Sequence, residues 1–122
     1  MGKTAVFVLT ILNRLSKTDP ECSALVISHT RELAIQINDE FNRFMTNMEG
    51  INSIAIYGGE KLDDQVAQIK EKKPKIVVGT PGRLLSLIRK GHLQTSNTSI
   101  FVLDECDKIL QQLGKKIQLI LN

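Results

Sequence analysis

The sequence predicts an α/β fold, a parallel sheet with helices on both faces. Three observations predict it. First, the short apolar runs Ala24-Leu25-Val26-Ile27, Ile76-Val77-Val78 and Ile100-Phe101-Val102-Leu103 lack polar alternation, as strands covered on both faces do. Second, the segments between them carry helical spacing. Third, turn chemistry at Thr18-Asp19-Pro20 and Gly58-Gly59 separates the two kinds of segment. The resulting order is helix, strand, helix, strand, helix, strand, helix, strand, helix. Alternation of this kind means a parallel sheet whose crossovers are helices.

Each element follows from its residues. Residues 5–15 are apolar on nearly every side and too long for a typical strand, so they read as a buried helix. Thr18-Asp19-Pro20 ends it, and residues 23–28 form the first strand. From Thr30 the period changes. Leu33, Ile37, Phe41, Phe44 and Met48 step by four, four, three and four, one helical stripe with Thr30 as its cap and Glu32 in its first turn. Residues 51–57 read as a strand ended by Gly58-Gly59. Leu62, Val66 and Ile69 mark a helix that closes in the lysine-rich residues 70–75. Ile76, Val77 and Val78 form a short strand. Thr80-Pro81 is an N-cap followed by proline at the first helical position, and Leu84, Leu85, Leu87 and Ile88 carry that helix to Gly91. Residues 92–99 are a polar loop, Ile100–Leu103 a strand, and Cys106 onward a helix.

Composition bounds what such a fold can do. At 122 residues the chain fits one domain and not two. Hydrophobic residues at 42% and charged residues at 24% exclude a disordered or fibrous chain. Sixteen Lys and Arg against 13 Asp and Glu give +3, an excess compatible with a polyanion but too small to argue for one. With no Trp and one Tyr, Tyr57, the core must be aliphatic. Cys22 and Cys106 make no disulfide framework, and His29 and His92 add too little for a zinc site. Two reduced thiols suit a cytosolic or nuclear protein. The apolar stretch 5–12 is far below the roughly 20 residues that span a bilayer, so no membrane role is expected. Asn97-Thr98-Ser99 matches a glycosylation sequon, which without secretion carries no weight.

In open α/β sheets ligands bind beyond the carboxyl ends of the strands. The special residues fall there. Gly2-Lys3-Thr4 stands directly before a helix, whose N-terminal amides and dipole favour a phosphate. Lysine adds a charge and Thr a hydroxyl for Mg²⁺, the last part of the pattern G-x-x-x-x-G-K-[ST]. Alone, those three residues also fit an ordinary capped helix start. Leu103-Asp104-Glu105 ends an apolar strand, where an Asp can hold Mg²⁺ and the next carboxylate can orient a water. Thr80-Pro81-Gly82-Arg83 and His29-Thr30-Arg31-Glu32 each join a strand end, a helix N-terminus, a hydroxyl and an Arg. Gly58-Gly59 permits positive φ or close approach to a ligand. Three adjacent strand ends with such donors could follow a sugar-phosphate backbone without reading bases. Phe41 and Phe44 fall on the core stripe, which argues against a stacking platform.

Taken in order, Gly-Lys-Thr, Thr-Arg-Glu-Leu-Ala (residues 30–34), Gly-Gly (58–59), Thr-Pro-Gly-Arg (80–83) and Asp-Glu-Cys-Asp (104–107) resemble the first RecA-like domain of a DEAD-box ATP-dependent RNA helicase. The resemblance spans nearly the whole chain. Cys106 stands where most members have Ala, and His29 where most have Pro. Both are similar to the DECD subgroup, which acts in pre-mRNA splicing and mRNA export. The resemblance implies a P-loop NTPase fold and a protein of the nucleus, with the cytoplasm left open as a second location. It implies that Gly2, Lys3 and Thr4 bind ATP phosphates and Mg²⁺, with Asp104 holding Mg²⁺ through water. Glu105 would position the hydrolytic water, and Asp107 would couple the nucleotide site to a Ser-Ala-Thr motif. Thr30, Arg31, Gly59, Thr80, Gly82 and Arg83 would lie along single-stranded RNA, with Glu32 orienting Arg31 and Cys106 a small buried filler.

The same resemblance implies that residues 1–122 are part of an N-terminal RecA-like ATP-binding domain, from the end of the P-loop through the Asp-Glu-Cys-Asp box. The strand feeding the P-loop, in the middle of the family's sheet, would precede Met1. The adenine-reading motif, the Ser-Ala-Thr strand and the second RecA-like domain with its arginine would also lie outside. Such a piece is expected to have negligible ATPase alone and exposed sheet edges prone to self-association. Its partners would be single-stranded RNA, mRNA-processing and export proteins and the second RecA-like domain. The other reading is a catalytically inactive RNA- or protein-binding module.

Overall fold

The computed structural model describes residues 2–103, with side chains from residue 6 onward. The elements are α1 (Gly2–Arg14), β1 (Ala24–Ile27), α2 (Arg31–Met45), β2 (Ser53–Ile56), α3 (Leu62–Lys72), β3 (Ile76–Gly79), α4 (Pro81–Arg89) and β4 (Ile100–Leu103). Their alternation is the one expected. The predicted helix from Cys106 lies outside the described residues.

The four strands form one parallel sheet in the order β2-β3-β1-β4. Every residue of β1 and β3 is buried, as continuous apolar runs require when helices cover both faces. Alternation then sorts their side chains. Ala24, Val26, Ile76, Val78 and Ile100 pack under α1 and α2 with Val8, Ile11, Leu12, Ala34, Ile37 and Phe41. Leu25, Ile27, Ile54, Ile56 and Val77 pack under α3 and α4 with Ile69, Leu84, Leu87 and Ile88. Fully burying one such Leu or Ile contributes about 1.5–3 kcal/mol, so the two layers carry most of the gross stabilisation.

The interior strands β3 and β1 are hydrogen-bonded to each other, so no gap opens among the four described strands. Any further parallel strand must add outside β2 or β4. The expected loss from the middle of the sheet is therefore not seen within these four.

Two helical stripes differ from expectation. In α2 the buried residues are Ala34, Ile37, Phe41 and Met45, while Leu33 and Phe44 are half-buried at the flanks and Met48 lies beyond the helix. A stripe drawn through bulky residues alone passes one position off, because small Ala34 is fully buried in this layer beside Ile37 and Phe41. In α1, Val8, Ile11, Leu12 and Leu15 are buried but Val6 is 66% and Leu9 42% exposed. A helix in an outer layer has one face to bury, whatever its composition.

Local chemistry sets the helix starts. The Thr30 hydroxyl accepts a hydrogen bond from the Leu33 amide at 3.0 Å, a cap that contributes about 1 kcal/mol. Pro81 opens α4, but the Thr80 side chain makes no cap hydrogen bond. The turn before β1 is held by Cys22, which adopts φ of 55°. Its carbonyl accepts from the Thr98 hydroxyl at 2.6 Å, tying β1 to the loop that feeds β4.

Candidate nucleic-acid interface

The register brings three strand ends level. Ile27 of β1 pairs with Gly79 of β3, and Ile56 of β2 pairs with the same Gly79. Chain leaving these ends therefore emerges side by side, with β3 in the middle: residues 28–31, 57–60 and 80–83. Gly79 is needed for the close fit beneath. A Cβ there would stand 2.7 Å from the Ile56 carbonyl oxygen and 2.8 Å from Leu84 Cγ.

The two arginines of this row rest on the same turn. Arg31, exposed in the first turn of α2, lays its guanidinium over the Tyr57 ring, 4.9 Å from the centroid. Among the described residues Glu32 makes no ion pair with it, so an aromatic face, and not Glu32, orients Arg31. Arg83 donates from Nη1 to Gln65 Oε1 and from Nη2 to the Glu60 carbonyl, each at 2.9 Å. Gln65 Nε2 in turn donates to the Tyr57 carbonyl at 2.9 Å. The Tyr57 hydroxyl donates to the Glu60 carboxylate at 3.2 Å. Partial burial first, then that bond, push the Tyr57 hydroxyl above its ordinary pKa, so the ring stays neutral beside the cation.

Small residues leave room above the row. Gly59 has φ of 94°, a conformation L side chains rarely adopt, and a Cβ there would stand 3.5 Å from Arg31 Nη1. Nothing lies within 4 Å of where a Cβ would stand on Gly58 or Gly82. In the first turn of α4 Pro81 has no N–H, so the amides of Gly82 and Arg83 are the unbonded donors of that helix end. A row with two guanidiniums, free helix-start amides and open space over glycine suits an extended chain of phosphates.

Thr30, Arg31, Gly59, Thr80, Gly82 and Arg83 thus come together as expected. Tyr57, Glu60 and Gln65 were missed. Gln65 had a signal: it lies on the stripe of Leu62 and Ile69 yet is polar, and a buried amide on a core stripe has partners to satisfy.

The residues predicted to bind a nucleotide lie at the two ends of the chain. Gly2, Lys3 and Thr4 form the start of α1, the backbone setting that suits a phosphate. The side chains of Lys3 and Thr4 lie outside the described residues. So do Asp104, Glu105, Cys106 and Asp107, which follow β4 where Leu103 is level with Ile27. No described helix is long and apolar enough to cross a membrane.

The chain matches the DEAD/DEAH box helicase family model over residues 1–122. It is 50% identical over 121 residues to the ATP-dependent RNA helicase sub2 of Aspergillus fumigatus, covering 98% of this chain and 27% of that protein. To the ATP-dependent RNA helicase SUB2 of Chaetomium globosum it is 52% identical over 118 residues, covering 95% and 27%. Its fold matches the yeast DEAD-box splicing factor Prp28 with a TM-score of 0.84 and 28% identity, over 98% of this chain and 30% of that one. It matches a hypothetical ATP-dependent RNA helicase from Sulfolobus tokodaii with a TM-score of 0.79 and 31% identity, over 98% and 34%. The chain spans about a quarter of the length of these curated relatives.

Proposed function

Because the chain belongs to the DEAD/DEAH box helicase family, we propose that it supplies the RNA-backbone track and much of the nucleotide site of an ATP-dependent RNA helicase. In this reading it is the larger part of a first RecA-like domain, working with a second one. The observation that carries the RNA reading is the level row of strand ends, with Arg31 and Arg83 held on one turn and glycine space above them. Its contacts are to phosphate and sugar, so it would bind single-stranded RNA with little base preference.

On the nucleotide side, Gly2, Lys3 and Thr4 would bind the ATP phosphates, Thr4 and Asp104 would hold Mg²⁺, and Asp107 would link this site to the rest of the protein. Bound ATP-Mg²⁺ would supply the phosphoryl group. Glu105 would orient the attacking water. The Asp-Glu-Cys-Asp box and His29 support a role in pre-mRNA splicing and mRNA export, with mRNA-processing and export proteins as partners and the nucleus as the site of action.

Fluorescence anisotropy with labelled single-stranded RNA tests the RNA track. Removing one cation from a phosphate should lower the slope of log K against log salt by about 0.7. Arg31→Ala and Arg83→Ala should each weaken binding and flatten that slope by about this amount. Unchanged affinity and slope in both variants would refute the reading.

A further inference from the structure

We infer that Gln65 is a positioning residue that sets the guanidinium of Arg83, and the turn under Arg31, for RNA binding. The inference rests on the reading that Arg83 meets an RNA phosphate. Gln65 is 1% exposed, so it cannot itself touch the RNA. Its amide is used at both ends, accepting from Arg83 Nη1 and donating to the Tyr57 carbonyl. Turning the amide over would set its NH₂ against the guanidinium and its oxygen against a carbonyl. One orientation alone satisfies both partners.

The consequences concern both arginines. Arg83 is fixed by two bonds from two different segments, Gln65 on α3 and the Glu60 carbonyl on the turn. A guanidinium has five N–H donors, so three remain for a phosphate. The turn that Gln65 anchors through the Tyr57 carbonyl also carries the ring beneath Arg31. One buried amide therefore braces two cations at neighbouring strand ends. It is also neutral. A carboxylate in its place would hold Arg83 equally well but would compensate the charge that a phosphate needs.

The test uses Gln65→Met, which keeps length and volume but removes both bonds, and Gln65→Glu, which keeps an acceptor and adds charge. RNA affinity and salt slope are read by anisotropy, alone and in an Arg83→Ala background. Gln65→Met should weaken binding on the order of tenfold. That loss should largely vanish when Arg83 is already Ala, leaving only the share carried through Arg31. Gln65→Glu should also weaken binding and flatten the salt slope. Wild-type affinity in either variant, beside a weakened Arg83→Ala, would overturn the inference. Should Arg83→Ala bind as wild type, the premise that Arg83 meets an RNA phosphate fails. The brace is then decided by NMR of the Arg83 guanidinium, whose bond rotation should be slow in the wild type and fast in Gln65→Met. Equal rotation in the two would overturn it. If Gln65→Met fails to fold, Gln65→Asn, too short to bridge, replaces it with the same expected and contrary results.

Discussion

Arg31 and Arg83 leave the sheet at neighbouring strand ends, yet they are held by different physics. One lies on an aromatic face; the other is locked by two hydrogen bonds. Both were legible as candidates because a Thr, an Arg and a helix start follow each strand. What held them was not, since Tyr57 lies 26 positions from Arg31 and Gln65 lies 18 from Arg83, and only folding brings each pair together. Gly82 belongs to the same row of strand ends. It sits at the start of α4 with φ outside the left-handed region and open space at its Cβ position. Gly82→Val should then change the melting temperature little, since a surface site away from packing stays within about 0.5 kcal/mol. It should weaken RNA binding by filling the space over the helix-start amides. A melt and an anisotropy titration on one sample check both halves. A variant that binds like wild type would show that the open space is not used.

At the scale of elements, helix starts were easier to read than helix faces. Thr30 caps α2 through its own hydroxyl, a bond to the amide of nearby Leu33. The buried face of α2 includes small Ala34 beside Ile37, Phe41 and Met45, and a residue with so little apolar surface does not mark a stripe in the sequence. The connection from Cys22 to the loop before β4 was also hidden, since Thr98 reaches back across 76 positions. The same hydroxyl also lies 3.7 Å from the Cys22 thiol as a donor. Burial pushes the Cys22 thiol from its usual 9.0 to about 11; the Thr98 bond opposes the shift and Glu21 adds to it. The native state therefore holds this proton more tightly than the unfolded chain. Its contribution is complete below pH 9 and is lost as pH rises through about 11, a total of about 2–3 kcal/mol. Urea midpoints should fall over that window in the wild type and less steeply in Cys22→Ala. Parallel curves for the two proteins would contradict the assignment.

At the scale of the whole molecule, the alternation of helix and strand was legible but the order β2-β3-β1-β4 was not. Continuous apolar runs announce that β1 and β3 are covered on both faces; they do not say which strands they neighbour. That order matters, because it puts the ends of β2, β3 and β1 in one row and leaves β4 paired on one side among the described strands. The residues proposed for the RNA backbone therefore gather within 28–83, while those proposed for the nucleotide fall at the two ends of the chain, 2–4 and 104–107. The two activities should separate. The 122-residue chain should bind single-stranded RNA with a salt-dependent affinity, because the row of strand ends is complete within it. It should not hydrolyse ATP faster when RNA is added. Related NTPases gain about 10³–10⁵ in rate from an arginine supplied by another body, and the matched relatives carry most of their length beyond this segment. Phosphate release measured at saturating RNA decides it. Release that rises with RNA, and is abolished by Glu105→Gln, would show that this segment alone completes the site.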